Sequence, residues 1–168
     1  MTGVSVVLAL GSNLGDRFAH LCGAVAALAA DPGFRGLRVS SVYETAPVGG
    51  PPQEPYLNAV VIARTVLSPS EVLARAQTCE AAARRVRGER WGPRTLDVDV
   101  VAVGPVVSDD PSLTLPHPRA HGRAFVLVPW LELDAGAVLP GRGLVSDLVA
   151  QGDVSGVHRR DDLEVPVP

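Results

Sequence analysis

The run Leu96 to Val103, reading LDVDVVAV, constrains this chain more than any other stretch. Leu96, Val98 and Val100 alternate with Asp97 and Asp99, which is the period of a strand. A helix would send the two carboxylates to different faces, whereas a strand projects residues i and i+2 together. Their Cα atoms then lie about 6.6 Å apart, two strand rises. Carboxylates at that spacing can grip a metal pair about 4 Å apart. Just upstream, Arg84, Arg85, Arg87, Arg90 and Arg94 crowd around Trp91, Gly88 and Gly92. The guanidinium fork binds phosphate oxygens bidentately and keeps its charge. Mg²⁺ takes one or two carboxylates plus substrate phosphates. A polyphosphate held between the arginines and the carboxylates is the first expectation. Each half alone also has an ordinary reading, a solvated arginine loop and the wet face of a strand. Together these readings weaken, because Asp is disfavoured in strands and clustered arginines repel one another without an anion.

The chain has 168 residues, enough for one domain with a real core. The net charge of −3 argues against general nucleic-acid binding, so basic charge is local. All 15 basic residues are Arg, which rules out a Walker lysine, a Schiff-base lysine and a lysine general base. Cys22 and Cys79 each fall on the apolar face of a predicted helix and read as free buried thiols. No charged leader and no apolar run of about 18 residues occurs, so neither signal peptide nor membrane span is expected. A cytoplasmic protein, a monomer without nucleic-acid or membrane partners, is the expectation.

Val4 to Leu10 reads as a central strand and Gly11-Ser12-Asn13 as the turn after it. The turn from Gly11 to Gly15 could offer N–H groups to an anion, but it lacks the P-loop pattern, and a plain strand-to-helix turn is the default. From Asp16, apolar residues at helical spacing run to the stop at Asp31-Pro32-Gly33. Leu37 to Thr45 reads as a strand, Ala46 to Pro55 as a Pro- and Gly-rich loop, and Tyr56 to Val66 as the next strand. Ser68-Pro69-Ser70-Glu71 is a capping box with Pro at N1, opening a helix that runs into the arginines. Glu80 and Arg84 could form an i,i+4 ion pair. The order strand, helix, strand, strand, helix, strand predicts an α+β fold with a ferredoxin-like βαββαβ core and both long helices on one face. A C-terminal hairpin and helical extension should follow. The hairpin is expected around Asp109-Asp110-Pro111-Ser112, with Phe125 to Leu133 a helix broken near Pro129 and Leu144 to Val149 a last short helix. His117 and His121 have zinc-compatible spacing, but a polar rim is the preferred reading. The domain is expected to span residues 1–150, with a mobile tail over 151–168.

With these residues in hand, the chain resembles the 6-hydroxymethyl-7,8-dihydropterin pyrophosphokinases of folate synthesis. Arg90-Trp91-Gly92-Pro93-Arg94-Thr95-Leu96-Asp97-Val98-Asp99-Val100-Val101 fits that family's motif in full, and LALGSNLG, SSVYET, YLNAV and LPHPR agree as well. The resemblance covers about residues 4 to 140 and implies transfer of pyrophosphate from ATP to the pterin hydroxymethyl group, releasing AMP. Asp97 and Asp99 match the family's ligands for two Mg²⁺. Arg85 and Arg94 match its catalytic arginines. By the same resemblance Gln77, Glu80, Arg87, Arg90, Trp91, Val100, Thr114, His117 and Arg123 fall at ATP-site positions. Thr45, Pro47, Val48, Tyr56, Asn58 and Phe125 fall at pterin-site positions, with the two aromatics sandwiching the heterocycle and Asn58 reading its edge. Two loops, Ala46 to Pro55 and Arg87 to Pro93, would close over the site and exclude water.

Two rival functions fit the residues less well. A metal-dependent nucleotide hydrolase on the same scaffold would consume ATP without a pterin. An RNA-binding ferredoxin-like module would present aromatics on its sheet for stacking bases, and the strands carry only Tyr43 and Tyr56.

Overall fold

The computed structural model of the chain describes residues 2–47, 49–83 and 95–168. Its first strand, β1 (Val4–Ser12), is apolar on both faces and sits centrally in the sheet for that reason. Val6, Leu8 and Leu10 face one layer of helices, and Val7 and Ala9 face the other. The strand runs two residues beyond the expected end, so Gly11 and Ser12 belong to the ladder and not to a turn. Helix α1 (Arg17–Ala30) starts where the Asp16 carboxylate accepts the Ala19 N–H at 3.0 Å. It stops at Asp31, whose side chain turns back onto the Gly33 N–H at 2.8 Å.

The stretch expected as one strand over 37–45 is two, β2 (Phe34–Val39) and β3 (Tyr43–Thr45). Both lie on β4 (Tyr56–Thr65). The break falls at Ser40, where the hydroxyl oxygen accepts the Val60 N–H at 2.9 Å. A side chain there takes the ladder donor that a strand backbone would otherwise take. Helix α2 (Pro69–Ala82) begins with the expected capping box, Ser68 Oγ on the Glu71 N–H and Glu71 on the Ser68 N–H. Strand β5 (Asp97–Val103) returns beside β1.

The main sheet has the order β5, β1, β4, β3, with β2 sharing β4's outer edge, and every pairing is antiparallel. With β2 and β3 counted as one interrupted strand, this is the ferredoxin-like βαββαβ arrangement. Helices α1 and α2 cover one face. The other face is covered by α3 (Ala124–Leu133) and, beyond the hairpin β6 (Val138–Leu139) and β7 (Gly143–Leu144), by α4 (Val145–Gln151).

Three further expectations need correction. The hairpin over 106–115 reduces to a single bridge between Ser108 and Leu115, and β6–β7 is the C-terminal hairpin instead. Pro129 does not break α3. It forfeits one helical hydrogen bond, but its own ring is buried with Val126, Leu127 and Trp130 against the sheet, and that packing holds the helix together. Residues 151–168 are not an undocked tail. Strand β8 (His158–Arg159) pairs with Tyr43 and Glu44 of β3. Farther on, Val165 is 5% exposed and Leu163 packs beside it in the core under α1 and α2.

Candidate active site on one face of the sheet

The register brings the polar strand residues into one row. Tyr43 lies opposite Asn58, Asn58 opposite Gly11, and Gly11 opposite Asp97. One step along, Val60, Ala9 and Asp99 form the next row. Ala9 and Val60 pack toward α3, so side-chain alternation puts Asn58, Tyr56, Asp97 and Asp99 on that same face. Val98 and Val100 pack on the opposite face, in agreement. The face is open to solvent at Asp99, whose side chain is 41% exposed, and Arg123 and Phe125 stand beside it at the start of α3. Arg123 Nη1 approaches Asp99 Oδ2 at 3.5 Å, and its guanidinium carbon lies 5.5 Å from the centre of the Phe125 ring.

Asn58 is only 4% exposed, and its amide is fully oriented. Nδ2 donates to Thr45 Oγ1 at 2.8 Å and to the Tyr43 carbonyl at 3.3 Å. Its oxygen is thereby turned toward Gly11. A Cβ on Gly11 would stand 3.3 Å from Asn58 Oδ1 and 3.4 Å from Tyr56 Cδ1. The missing side chain at Gly11 therefore leaves a floor between the amide and Asp97. The sequence offers Gly11 only as part of a turn with N–H groups for an anion, not as a residue of this sheet face. A glycine inside an apolar strand run was the available signal, since it marks a close approach.

Two outside contacts steady β5, the end strand of the described sheet. Glu80 Oε2 accepts the Val98 N–H at 3.0 Å, between the two aspartates. The His117 N–H donates to the Val101 carbonyl at 2.8 Å. His117 Nδ1 accepts the Arg119 N–H at 3.2 Å, which assigns the proton of the neutral ring to Nε2. Burial pushes the His117 pKa down, nearby Asp99 opposes this, and Arg123 and Arg119 add to the lowering.

Of the other candidates, Gln77 is exposed on α2 and Pro47 is half-buried after β3. Thr114 donates its hydroxyl to the Asp110 carbonyl at 3.1 Å. The Val100 side chain is in the core, so only its backbone can reach a ligand. Val48, Arg85, Arg87, Arg90, Trp91 and Arg94 lie outside the described residues, as does the loop expected over 87–93. His121 is in a 3-10 turn, Ala120–Gly122, and among the described residues no three His, Cys, Asp or Glu side chains gather as a metal cage.

Glu132 was also missed, although it is the one charge in FVLVPWLEL. Its carboxylate accepts the Tyr43 hydroxyl at 2.7 Å and the Ser41 N–H at 2.9 Å, tying α3 to the start of β3. Burial first, and then the bond to Glu132, push the Tyr43 pKa up to about 12. The folded value lies above the unfolded one, so this stabilisation is complete below about pH 10 and is lost as pH rises through about 12. Alkaline titration followed by tyrosinate absorbance should show a late step near 12. Tyr43→Phe should remove that step, and its persistence in the variant would refute the assignment.

Fold and face together define a ferredoxin-like α+β domain with two strand carboxylates, an arginine and an oriented amide at the open end of its sheet. A family model described as 7,8-dihydro-6-hydroxymethylpterin-pyrophosphokinase (HPPK) matches residues 7–135, and the chain belongs to that family. It is 45% identical over 152 residues to the 2-amino-4-hydroxy-6-hydroxymethyldihydropteridine pyrophosphokinase of Methylorubrum extorquens, covering 90% of this chain and 96% of that one. The enzyme of the same name from Mycobacterium tuberculosis H37Rv is 47% identical over 148 residues, covering 82% of this chain and 77% of the relative. Among solved structures, wild-type Plasmodium falciparum HPPK-DHPS with pteroate superposes with a TM-score of 0.65 at 13% identity, over 88% of this chain and 42% of that one. At that identity the likeness concerns the fold alone, and this chain spans less than half the length of that longer protein.

Proposed function

We propose that this chain transfers pyrophosphate from ATP to the hydroxymethyl oxygen of 6-hydroxymethyl-7,8-dihydropterin, giving the pterin diphosphate and AMP. The pterin hydroxyl forms the new bond to the β-phosphorus, the bridge between the α- and β-phosphates breaks toward AMP, and the hydroxyl proton is released. The observation that carries this reading is the family match over residues 7–135. The shared face of Asn58, Gly11, Asp97 and Asp99 supports it.

A flat polar heterocycle needs apolar faces and edge hydrogen bonds. Tyr56 and Phe125 would supply the faces. Asn58 would supply the edge, held rigid by Thr45 and the Tyr43 carbonyl. Pro47 and Val48 would border it. Asp97 and Asp99 suit Mg²⁺ as donors: they are hard oxygen ligands on one face, both half-exposed, and phosphate oxygens would complete the shell. Two bound ions would neutralise phosphate charge and acidify the attacking hydroxyl. Arg123 already stands against Asp99 and would turn to a phosphate when the carboxylate takes a cation. Arg85 and Arg94 would steady the transferring group. Gln77, Glu80, Arg87, Arg90, Trp91, Val100, Thr114 and His117 would hold the nucleotide. The reading also takes the enzyme as a cytoplasmic monomer, and the free thiols Cys22 and Cys79 fit a reducing compartment.

Product analysis tests this directly. With ATP, Mg²⁺ and the dihydropterin, AMP and a pterin diphosphate should appear together and only when pterin is present. ADP or inorganic phosphate released without pterin would favour a hydrolase and overturn the pterin assignment.

A further inference from the structure

Glu44 lies between Tyr43 and Thr45 on β3, so its side chain leaves the sheet on the face opposite Thr45. There Glu44 Oε2 takes two guanidinium groups, Arg17 Nη1 at 3.3 Å and Arg160 Nη1 at 2.9 Å. Arg17 Nη1 also donates to the Pro55 carbonyl at 2.8 Å, just before β4 begins. Beside it, Asn13 Nδ2 reaches the Glu54 carbonyl at 3.0 Å and Gln53 Oε1 at 2.7 Å. The residues flanking the connection are thus tied, Glu44 on β3 to Pro55 before β4, through the Arg17 guanidinium.

Arg160 is itself aimed. Its Nε and Nη2 grip the two Asp162 oxygens, each at 2.8 Å, and this pairing holds the Asp162 carboxyl down to about 2. Its backbone N–H donates to the Val42 carbonyl at 2.8 Å. Directly before it, β8 covers the outer edge of β3. Strand β3 is three residues long and pairs with β4 on its other side, so without β8 it would be a short open edge. Thr45 is part of that edge, and Thr45 Oγ1 orients the Asn58 amide.

We propose that Glu44 and Arg160 are positioning residues for the pterin half of the site, with the C-terminal segment bracing β3 and hence the Thr45–Asn58 pair. The inference rests on the pterin reading above. It differs from a plain stability role: both side chains are about one-third exposed, at 31% and 32%, and ion pairs of that kind contribute little to folding. Their effect should appear in substrate affinity, where small misplacements count.

The test is a comparison of Michaelis constants in the full chain. Arg160→Ala should raise KM for the dihydropterin about tenfold while KM for ATP and kcat stay within about twofold. Arg160→Lys keeps a cation for Glu44 and should recover most of the loss. Arg159→Ala is the control on the same strand, because Arg159 meets Asp161 at 2.9 Å and not Glu44. It should match the parent. A parent-like pterin KM in Arg160→Ala would overturn the inference, and so would an equal rise in both constants. Failure of the unaltered chain to form AMP with pterin is a separate result, and it would remove the pterin reading itself.

Discussion

Asp97→Ala is expected to lower kcat at least about thousandfold, because it removes half of the proposed carboxylate pair where several kcal/mol of charge stabilisation are at stake. The fold should survive. Asp97 is half-exposed at the start of β5, while its neighbours Leu96 and Val98 carry the packing at 1% and 4% exposure. The unfolding midpoint should therefore stay close to that of the parent. Asp97→Asn should be nearly as inactive, since it keeps the shape but not the charge. Steady-state AMP release at saturating ATP and pterin reads the effect. Near-normal turnover in either variant at ordinary Mg²⁺ would sink the metal assignment. Asp99→Ala makes a useful partner: it also releases Arg123 from its 3.5 Å contact, so phosphate binding and metal binding change together.

The parts of this molecule that follow local periodicity were legible from its residues. Alternation about Asp97 and Asp99 gave the right strand with both carboxylates on one face, and the Ser68 capping box gave the right helix start. The resemblance to the pyrophosphokinases rested on contiguous motifs and agrees with the family match. The hairpin over 106–115 was misread locally, but the other misread parts depend on contacts distant in sequence. The division between β2 and β3 comes from the Ser40 hydroxyl meeting Val60, twenty residues away. Helix α3 survives Pro129 because the sheet buries that ring. Strand β8 is two residues long, below the length at which a period can show, and it follows a polar, Gly-containing stretch. Val165 lies between Pro and Glu in a charged segment, yet it enters the core. Glu44 has two partners in space, Arg17 and Arg160, and none of its neighbours in sequence points to them. Gly11 is the most instructive case. It read as the first residue of a turn, and only the cross-strand register places it between Asn58 and Asp97.

That position carries the second large expected effect. Gly11→Val should weaken dihydropterin binding by about a hundredfold or more, because a crowded site displaces the heterocycle from its edge contacts. The backbone does not oppose the substitution. Gly11 lies in the ladder of β1, it is absent from the glycines with positive φ, and valine favours strands. The obstacle is space. A Cβ alone meets Asn58 Oδ1 at 3.3 Å and Tyr56 Cδ1 at 3.4 Å. The two valine methyls need more room than that, and Asn58 cannot turn aside without breaking its bonds to Thr45 and the Tyr43 carbonyl. Gly11→Ala needs a shift of only a few tenths of an ångström and should fall between the parent and the valine variant. Calorimetric titration with the pterin, and separately with a non-hydrolysable ATP analogue, reads the series. Pterin affinity should decline in the order Gly, Ala, Val while analogue affinity changes far less. Normal pterin binding by Gly11→Val would mean that the heterocycle lies elsewhere. Equal loss of both ligands with a lowered unfolding midpoint would mean that the added methyls disturb the sheet and not the floor of a site.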